Sequence, residues 1–472
     1  MLRQFLLSLI VALTLLSAFC DIPFVDLCVV AQEPTQGDDT EITDPVRESD
    51  AFLWPRFLGR QYDSVADAVP GVDWTKQPTF LWSLDVGLGY GMGTVDQTNY
   101  YHFDASDNAA EERLRCIDLR DGQTKWSQSQ PLNYRDMYGY ESGPRSSASL
   151  TKDRIYTMGV GGQLTCRDIA DGRLIWTVDT SQRYGVVQNF FGVGGSPLVL
   201  GDLVIVMVGG SPPGDQAIAP GRLDRVSPNG SALVAFDRHN GSEKWRGGDD
   251  LASYSSPRPI EIDGETLVLL FGRNRLSALN PTTGTVRWSF DHRAEILESV
   301  NAMVPIVHDD HVFISECYAV GSVLLKVTGE SADVIWQDPP RDRRRQAMRV
   351  HWSTPVLTDG HVFGCSGRNA PDSDFRCIEW MTGKVKWSDS RRIRSAVTQV
   401  GDHLLVLEER GLMQVIKANV EEMEVVNEWE LQTAEGNRPA LNYPCWAAPI
   451  VVGDKVLVRG DEKVLCLELQ KK

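Results

Sequence analysis

A short two-strand pattern that ends in tryptophan recurs along the whole chain and limits the fold more than any other feature. Its clearest copy is Gln163–Trp176, in which apolar and polar residues alternate up to Ile169 and Asp171-Gly172 marks a tight turn. Such alternation predicts β-strands, and Asp-Gly supplies the positive φ angles that a hairpin turn needs. The copies end at a set of eight tryptophans: Trp82, Trp126, Trp176, Trp245, Trp288, Trp336, Trp387 and Trp429.

The intervals between these tryptophans indicate what the repeats build. Neighbouring members are separated by roughly 40–50 residues, enough for about four short strands, which is typical of one blade of a β-propeller. The interval that ends at Trp245 is longer because it contains Gly209–Gly230, an insertion rich in proline and glycine. The sequence therefore predicts an all-β fold, an eight-bladed β-propeller of four-stranded antiparallel blades that spans residues 51–472.

The end of the chain indicates how the ring closes. Three strands, and no further tryptophan of the set, follow Trp429. An open sheet edge would remain there unless another strand paired with it. We therefore expect the early strand around Phe80–Leu84 to complete the last blade, so that an N-terminal strand closes the propeller.

The start of the chain has the composition of a targeting segment. Arg3 precedes an apolar run, Phe5–Phe19, and the small residues around Ala31 fit a cleavage site. Residues 1–31 are therefore predicted to be a secretory signal peptide. We expect an exported protein, periplasmic or extracellular, with no membrane span after cleavage.

Two segments separate the signal peptide from the repeats. Residues 32–50 are acidic and polar, and they are predicted to form a disordered linker. The lead-in Ala51–Gly59 is apolar again. We expect it to pack on the propeller without forming one of its strands.

The charge balance argues against a nucleic-acid partner. The formal net charge is −17, whereas a duplex-binding surface needs a basic face. The dense basic cluster Arg341–Arg345 is interpreted as a solvated loop between blades, with a binding patch as the alternative. We expect no nucleic acid among the partners.

Histidine and cysteine spacing predicts neither catalysis nor metal binding. No C-x-x-C motif is present, and cysteines of different repeats, such as Cys116 and Cys166, share one position that favours a small buried residue. His308–His311 coincides with the Gly-Asp turns of other blades and is interpreted as a turn. There is no Gly-x-Ser-x-Gly elbow or P-loop. The sequence predicts no catalytic residue and no metal site.

Candidate ligand-binding residues lie in the loops that enter the inner strands, because these loops line the mouth of a propeller's channel. Their aromatic, arginine and asparagine side chains suit a sugar, a peptide or another polar organic ligand. The alternative is that these groups only hydrogen-bond to one another and fill the channel. The candidates are Tyr140, Arg145, Asn189, Tyr254, Arg258, Asn301, Arg349, His351, Trp352, Arg394 and Trp446.

Two interpretations concern subsets of these candidates. His351 is the histidine that we place at the channel mouth, and it is the candidate for acid–base work. Four of the arginines would together hold an anionic group through charge-assisted hydrogen bonds: Arg145, Arg258, Arg349 and Arg394.

The repeat resembles a known family. The pattern in Cys166–Trp176, with small apolar residues, Asp, Asp-Gly and Trp, is similar to the pyrroloquinoline-quinone-type repeat of quinoprotein alcohol dehydrogenase-like propellers, and the likeness covers nearly the whole chain from about Trp54. The lead-in Trp54–Gly59 resembles the start of exported, mostly uncharacterised planctomycete-type members. The resemblance implies that each tryptophan of the set docks onto a turn of the neighbouring blade.

The family contains proteins with different activities. Its dehydrogenases hold pyrroloquinoline quinone and Ca²⁺ in the central channel, usually under a disulfide between adjacent cysteines. This chain has no adjacent cysteine pair, and the family's Glu, Asn and Asp calcium ligands have no matching positions. Another member is the outer-membrane lipoprotein that scaffolds β-barrel assembly, whose lipid-anchor cysteine signal this chain lacks.

Three functions remain open on the sequence. The first is an exported, monomeric, non-catalytic propeller that binds a protein, a glycan or a small polar ligand at its channel mouth. The second is a divergent oxidoreductase that uses pyrroloquinoline quinone with Ca²⁺. The third is a scaffold for assembly of the cell envelope.

Overall fold

The computed structural model describes residues 43–44, 52–432 and 439–472. Within them, eight antiparallel sheets form an eight-bladed β-propeller, which confirms the predicted fold. The predicted signal peptide and all of the predicted linker except Thr43 and Asp44 lie outside the described residues. No helix in the described ranges is long and apolar enough to cross a bilayer.

Every blade runs from an inner strand at the channel to an outer strand at the rim. From inner to outer strand, the first four blades are Thr94–Asp96, Asn99–Ala105, Glu111–Asp118 and Thr124–Pro131; Ser149–Leu150, Arg154–Met158, Gln163–Asp168 and Leu174–Asp179; Leu198–Leu200, Leu203–Met207, Leu233–Asp237 and Glu243–Gly247; and Arg258–Ile262, Glu265–Phe271, Arg275–Leu279 and Val286–Asp291.

The second half of the ring repeats this order. Blades 5 to 8 are Ile306–His308, His311–Glu316, Gly321–Val327 and Ala332–Gln337; Val356–Thr358, His361–Ser366, Asp374–Glu379 and Val385–Asp389; Ser395–Val400, His403–Glu408, Met413–Lys417 and Glu424–Trp429; and Ile450–Val452, Lys455–Arg459, Lys463–Glu468 and Thr79–Asp85. A short α-helix, Thr180–Tyr184, and a 3-10 turn, Leu223–Arg225, lie between strands.

The ring closes through the N-terminal strand, as expected. Thr79–Asp85 pairs antiparallel with Lys463–Glu468 and becomes the outer strand of blade 8, with Trp82 opposite Cys466. Blade 8 therefore has no hairpin turn leading into its outer strand. The ring of Trp74 stacks instead on Trp429 of blade 7, with 6.5 Å between ring centroids.

The repeated tryptophans join successive blades. Trp176 of blade 2 is 8% exposed and donates a hydrogen bond from Nε1 to the carbonyl oxygen of Arg238 in blade 3, at 3.0 Å. Its ring lies against the turn glycine Gly241, whose φ is +73°. The same bond to the next blade is made by Trp82, Trp245, Trp288, Trp336 and Trp387.

The strand opposite most of the repeated tryptophans presents a small side chain. Cys166 lies across from Trp176, and Ala235 lies across from Trp245. Cysteine serves here as a small apolar residue, whereas Leu324 and Met413 lie across from Trp336 and Trp429. All seven cysteines of the described residues are buried and unbridged.

The lead-in forms a strand, so the expectation that it packs on the propeller without forming one is wrong. Phe52–Trp54 pairs with the inner strand of blade 1, and Val65–Ala66 pairs in parallel with the inner strand of blade 7. The physical reason is that inner strands turn unpaired N–H and C=O groups toward the channel, and a chain in the channel satisfies them. We call residues 52–66 the channel plug.

Contacts within the N-terminal segment and with blade 4 hold the channel plug. Arg56 is 3% exposed, forms an ion pair with Asp44 and contacts the Tyr62 hydroxyl. Arg258 of blade 4 donates to the carbonyl oxygens of Gln61 and Tyr62, at 3.2 and 3.4 Å. The plug thereby bridges inner strands on opposite sides of the ring.

Candidate binding site at the channel mouth

The channel plug turns the channel into a cup with a floor. A cavity of about 160 Å³ lies at the channel mouth, and Phe57 and Leu58 of the plug line its base. The walls are mostly aromatic. We call this cavity the aromatic cup, and its wall side chains are Tyr90, Tyr140, Arg145, Phe191, Tyr254, Trp352 and Trp446.

The repeat explains why these side chains converge. Each comes from a segment that joins the outer strand of one blade to the inner strand of the next, so all of these segments lie on the same face. Tyr140 and Arg145 lie between blades 1 and 2, Tyr254 between blades 3 and 4, and Trp352 between blades 5 and 6. Trp446 just precedes the inner strand of blade 8.

Ring contacts make the wall continuous. Trp446 is central, with centroid distances of 4.7 Å to Tyr90, 4.9 Å to Trp352 and 6.1 Å to Tyr140. Phe191 continues the wall, 5.2 Å from Tyr140 in an edge-on arrangement. Such pairs contribute about 0.5–1.5 kcal/mol each beyond the area they bury, so the wall is organised before any ligand arrives.

Two arginines support the wall, and both are already paired. Arg394 lies over Trp352 and Trp446 at 4.9 and 5.0 Å, and its guanidinium meets the Glu409 carboxylate at 2.7 Å. Trp446 Nε1 donates to the same carboxylate at 3.1 Å.

On the other side of the aromatic cup, Arg145 lies 5.5 Å from the centre of the Tyr90 ring and meets Asp136 at 3.1 Å. Both arginine charges at the cup are thus compensated inside the protein.

Two of the three tyrosine hydroxyls of the wall accept hydrogen bonds from the protein backbone. Tyr254 Oη accepts a hydrogen bond from Phe191 N, and Tyr90 Oη accepts one from Glu141 N, each at 3.0 Å. Burial raises the pKa of both tyrosines well above the usual value, so both hydroxyls remain protonated. The aromatic cup therefore offers a ligand ring faces more than polar atoms.

The structure brings part of the predicted set together. Tyr140, Arg145, Tyr254, Trp352 and Trp446 line the aromatic cup. Arg394 and His351 lie directly behind its wall, where His351 stacks on Trp352 at 3.9 Å.

The remaining candidates serve the scaffold. Arg258 holds the channel plug, and Arg349 pairs with Asp372 at 2.8 Å. Asn301 donates to the carbonyl oxygens of Gly272, Arg273 and His292.

Asn189 accepts a hydrogen bond from Phe190 N and does not line the cup. The four arginines do not converge on one point, because each contacts a different carboxylate or set of carbonyl groups.

His351 is not arranged for proton transfer to a ligand. It is buried, and its Nε2 lies 3.2 Å from the Tyr318 hydroxyl. Burial, with Arg394 and Arg368 nearby, holds the pKa of His351 well below its usual value. The imidazole is therefore neutral near pH 7 and acts as a stacking partner of Trp352.

Sequence reasoning missed the floor and part of the wall. Tyr90 belongs to Gly87–Gly93, where glycine alternates with larger residues. Arg459, which is 2% exposed, donates to carbonyl oxygens of this segment. A Cβ on Gly91 would collide with the Ser146 carbonyl oxygen. Alternating glycines were the available signal, because they indicate a backbone that approaches another closely.

Glu141, beside the aromatic cup, leads to a prediction about pH. Burial and the neighbouring Asp461 carboxyl raise the pKa of Glu141 from 4.5 to about 8, and the hydrogen bond from Gly89 N, together with Arg459, opposes this shift only in part. The folded state therefore binds this proton more tightly than the unfolded chain, and stability falls as the pH rises from about 4.5 to about 8. Glu141→Gln should reduce that loss by about 1 kcal/mol or more.

Urea unfolding at a series of pH values measures this difference. Glu298→Gln, which changes an exposed carboxylate on the same face, is the matched control and should leave the pH profile unchanged. Identical profiles for wild type and Glu141→Gln would show that Glu141 does not titrate in this window.

Comparison with known proteins agrees with the β-propeller fold. A family model described as Outer membrane protein assembly factor BamB (PQQ_2) matches residues 110–388 and, in a second overlapping match, residues 283–425. The fold and repeat thus define a propeller of the pyrroloquinoline-quinone type. The chain belongs to this family.

Individual relatives are distant. BamB from Moraxella catarrhalis is 14% identical, with a TM-score of 0.53 over 83% of this chain and 98% of that chain. A quinohemoprotein alcohol dehydrogenase from Comamonas testosteroni is also 14% identical, with a TM-score of 0.60 over 91% of this chain and 83% of that chain. At such identities the likeness concerns the fold alone.

One curated relative matches by sequence. Uncharacterized protein RP232 of Rickettsia prowazekii (strain Madrid E) is 24% identical over 288 residues. The match covers 59% of this chain and 61% of that protein, less than two thirds of the relative's length.

The aromatic cup does not fit the quinone that the family's dehydrogenases carry. Pyrroloquinoline quinone has three fused rings and three carboxylates, whereas a cavity of roughly 150 Å³ accommodates a single benzene ring. The arginines at the cup, Arg145 and Arg394, are already paired with Asp136 and Glu409. The described residues also contain no group of three or more His, Cys, Asp or Glu side chains placed to hold a metal ion.

Proposed function

We propose that this chain is an exported, non-catalytic β-propeller that binds a protein or a small ligand at its channel mouth. The aromatic cup carries this proposal, because it is a preformed cavity with a floor, an aromatic wall and internally compensated charges. Concave, mostly apolar sites with few polar groups are typical of ligand recognition.

The chemistry around the aromatic cup supports binding without catalysis. The nearest histidine, His351, is neutral and lies behind the wall. Burial raises the pKa of the nearby Cys365 to about 11, so its thiol is a poor nucleophile at neutral pH. Neither group is placed to transfer a proton to, or to attack, a molecule in the cup.

A partner in the cell envelope is the second part of the proposal. The description of the matching family model names an outer-membrane protein assembly factor, and the sequence predicts a signal peptide. Trp, Tyr and Arg, which dominate the wall, are also the residues that dominate binding energy at protein interfaces. A scaffold that holds an envelope protein at its channel mouth is consistent with each of these features.

The quinone titration separates this proposal from the oxidoreductase alternative. Purified residues 32–472 are titrated with pyrroloquinoline quinone and Ca²⁺, followed by calorimetry and absorbance, and are then assayed with alcohols and an artificial electron acceptor. We expect no saturable one-to-one binding and no turnover. Tight one-to-one binding that Trp446→Ala abolishes, together with turnover, would overturn the non-catalytic role.

A further inference from the structure

We propose that the aromatic cup receives one aromatic or large aliphatic side chain from an acidic segment of a partner protein. This inference rests on the proposed binding role and names the chemistry of the partner. Three features carry it: the size of the cup, the use of its polar atoms and the charge of the surrounding face.

The size of the cup admits one ring. Its volume is about 160 Å³, close to a cavity known to hold benzene. Drug-sized ligands occupy sites of roughly 300–1,000 Å³, so a free ligand of that size would extend well outside the cup. A side chain fits better, because the rest of its polypeptide remains on the surface above.

The polar atoms of the wall favour an apolar occupant. The Tyr90 and Tyr254 hydroxyls each accept a bond from a backbone N–H, and Trp446 Nε1 donates to Glu409. A sugar ring that entered the cup would lose water around most of its hydroxyls and find few partners, which is unfavourable. A phenyl or branched aliphatic group has no such requirement, and it packs against Trp446 and Phe191.

The charge around the cup favours an acidic segment. The loops at 338–355 and 390–394, between blades 5 and 7 on the cup's face, contain arginine and no lysine. Exposed arginines there and in the adjacent turns form an arginine sector, in a chain whose formal net charge is −17. Its members are Arg341, Arg343, Arg344, Arg345, Arg368, Arg391 and Arg410. Arg341, Arg343 and Arg345 pair with Glu295, Asp372 and Asp342.

Arg368 of the arginine sector lies behind the wall of the cup, and some guanidinium groups of the sector are free to bind a partner. Arg368 lies 5.2 Å from the centre of the Tyr318 ring, and Tyr318 contacts His351 behind the Trp352 wall. Arg344 and Arg410 form no ion pair with the described residues, and Arg391 pairs with Asp389 while 87% of its side chain is exposed. Free guanidinium groups bind carboxylates through two parallel hydrogen bonds, so they complement aspartate and glutamate on a partner.

A peptide array tests the proposal on purified residues 32–472. Each peptide has a central Phe, Leu or Ala with acidic, neutral or basic flanks, and binding is measured by fluorescence anisotropy at low and physiological salt. We expect acidic peptides with a central Phe or Leu to bind at least tenfold more tightly than those with Ala or with basic flanks. A neutral oligosaccharide series provides a separate arm.

Substitutions separate the contribution of the aromatic cup to binding from that of the arginine sector. Tyr140→Ala and Trp446→Ala should each weaken binding at least tenfold and remove the preference for a central ring. Arg368→Ala combined with Arg410→Ala should weaken binding about threefold to tenfold and flatten its salt dependence, while retaining the preference for a ring. Leu174→Ala, in the exposed outer strand of blade 2, is the matched control and should bind as wild type.

The outcomes separate this inference from the binding role. Equal binding of the Phe and Ala peptides, or binding of oligosaccharide in place of acidic peptide, overturns the proposed partner chemistry but leaves a binding protein. Binding of quinone with turnover, and of no peptide, overturns both.

Discussion

Replacing Trp176 by alanine is expected to lower the free energy of unfolding by about 3–5 kcal/mol. The ring is 8% exposed, and it joins blade 2 to blade 3 through the bond from its Nε1 to the Arg238 carbonyl oxygen and through its contact with Gly241. Its removal leaves a cavity between blades that rigid sheets on both sides cannot fill. Urea unfolding followed by far-UV circular dichroism measures the change.

Two further variants identify the cause of this loss. Trp176→Phe keeps a ring but removes the Nε1 donor, so it should cost less than Trp176→Ala. Gly241→Ala places a Cβ 2.8 Å from the indole at a φ of +73°, and it should destabilise the same junction from the opposite side. A loss below about 0.5 kcal/mol for Trp176→Ala, which is typical of surface sites, would mean that the tryptophan does not dock the blades.

Replacing Arg56 by methionine is expected to lower the free energy of unfolding by about 3–5 kcal/mol. Arg56 is 3% exposed, pairs with Asp44 and lies over the Tyr62 ring at 4.7 Å. Methionine keeps much of the volume but removes the charge that balances a buried carboxylate. The same urea unfolding experiment measures the change. The Trp176 variants show, for comparison, how much stability is lost when a contact between two blades is removed.

A double-mutant cycle separates charge from packing at this pair. Asp44→Leu combined with Arg56→Met removes both charges, and it should recover part of the stability that Arg56→Met loses. Equal stability of wild type and Arg56→Met would show that the ion pair does not hold the channel plug. Additive effects of the two substitutions would show that the residues act independently.

The fold was predictable because its signals are local and repeated. Asp171-Gly172 sets a hairpin, Trp176 ends it, and the same pattern returns at intervals that match one blade. Closure by Thr79–Asp85 followed from a count of strands after Trp429. None of these inferences needed the position of a side chain in three dimensions.

The channel plug was not predictable, because its signals are neither local nor repeated. Val65–Ala66 pairs with Gln399 and Val400, far away along the chain, and so short a strand has no periodic pattern. Leu58 and Tyr62 also adopt positive φ angles, of 61° and 59°, which β-branched or bulky residues rarely do. Sequence patterns favour glycine or asparagine at such positions, so they indicated no turn in this segment.

The candidate site was predictable in part. Because Tyr140, Trp352 and Trp446 lie in loops that lead into inner strands, the sequence correctly indicated the face on which they lie. It did not indicate side-chain direction, so Arg258 and Asn301, which bond to nearby carbonyl groups, were indistinguishable from wall residues. The floor depended on the plug and was missed with it.

Site-specific photo-crosslinking in the native host tests most directly whether the channel mouth is the binding face. The photo-reactive residue p-benzoylphenylalanine replaces Tyr138, which is 55% exposed and lies beside Phe191, or Leu174, which is 47% exposed on the outer strand of blade 2. We predict one discrete crosslinked protein at position 138, an acidic segment at the crosslink by mass spectrometry, and none at position 174. Crosslinks confined to position 174, or equal at both positions, would contradict the account.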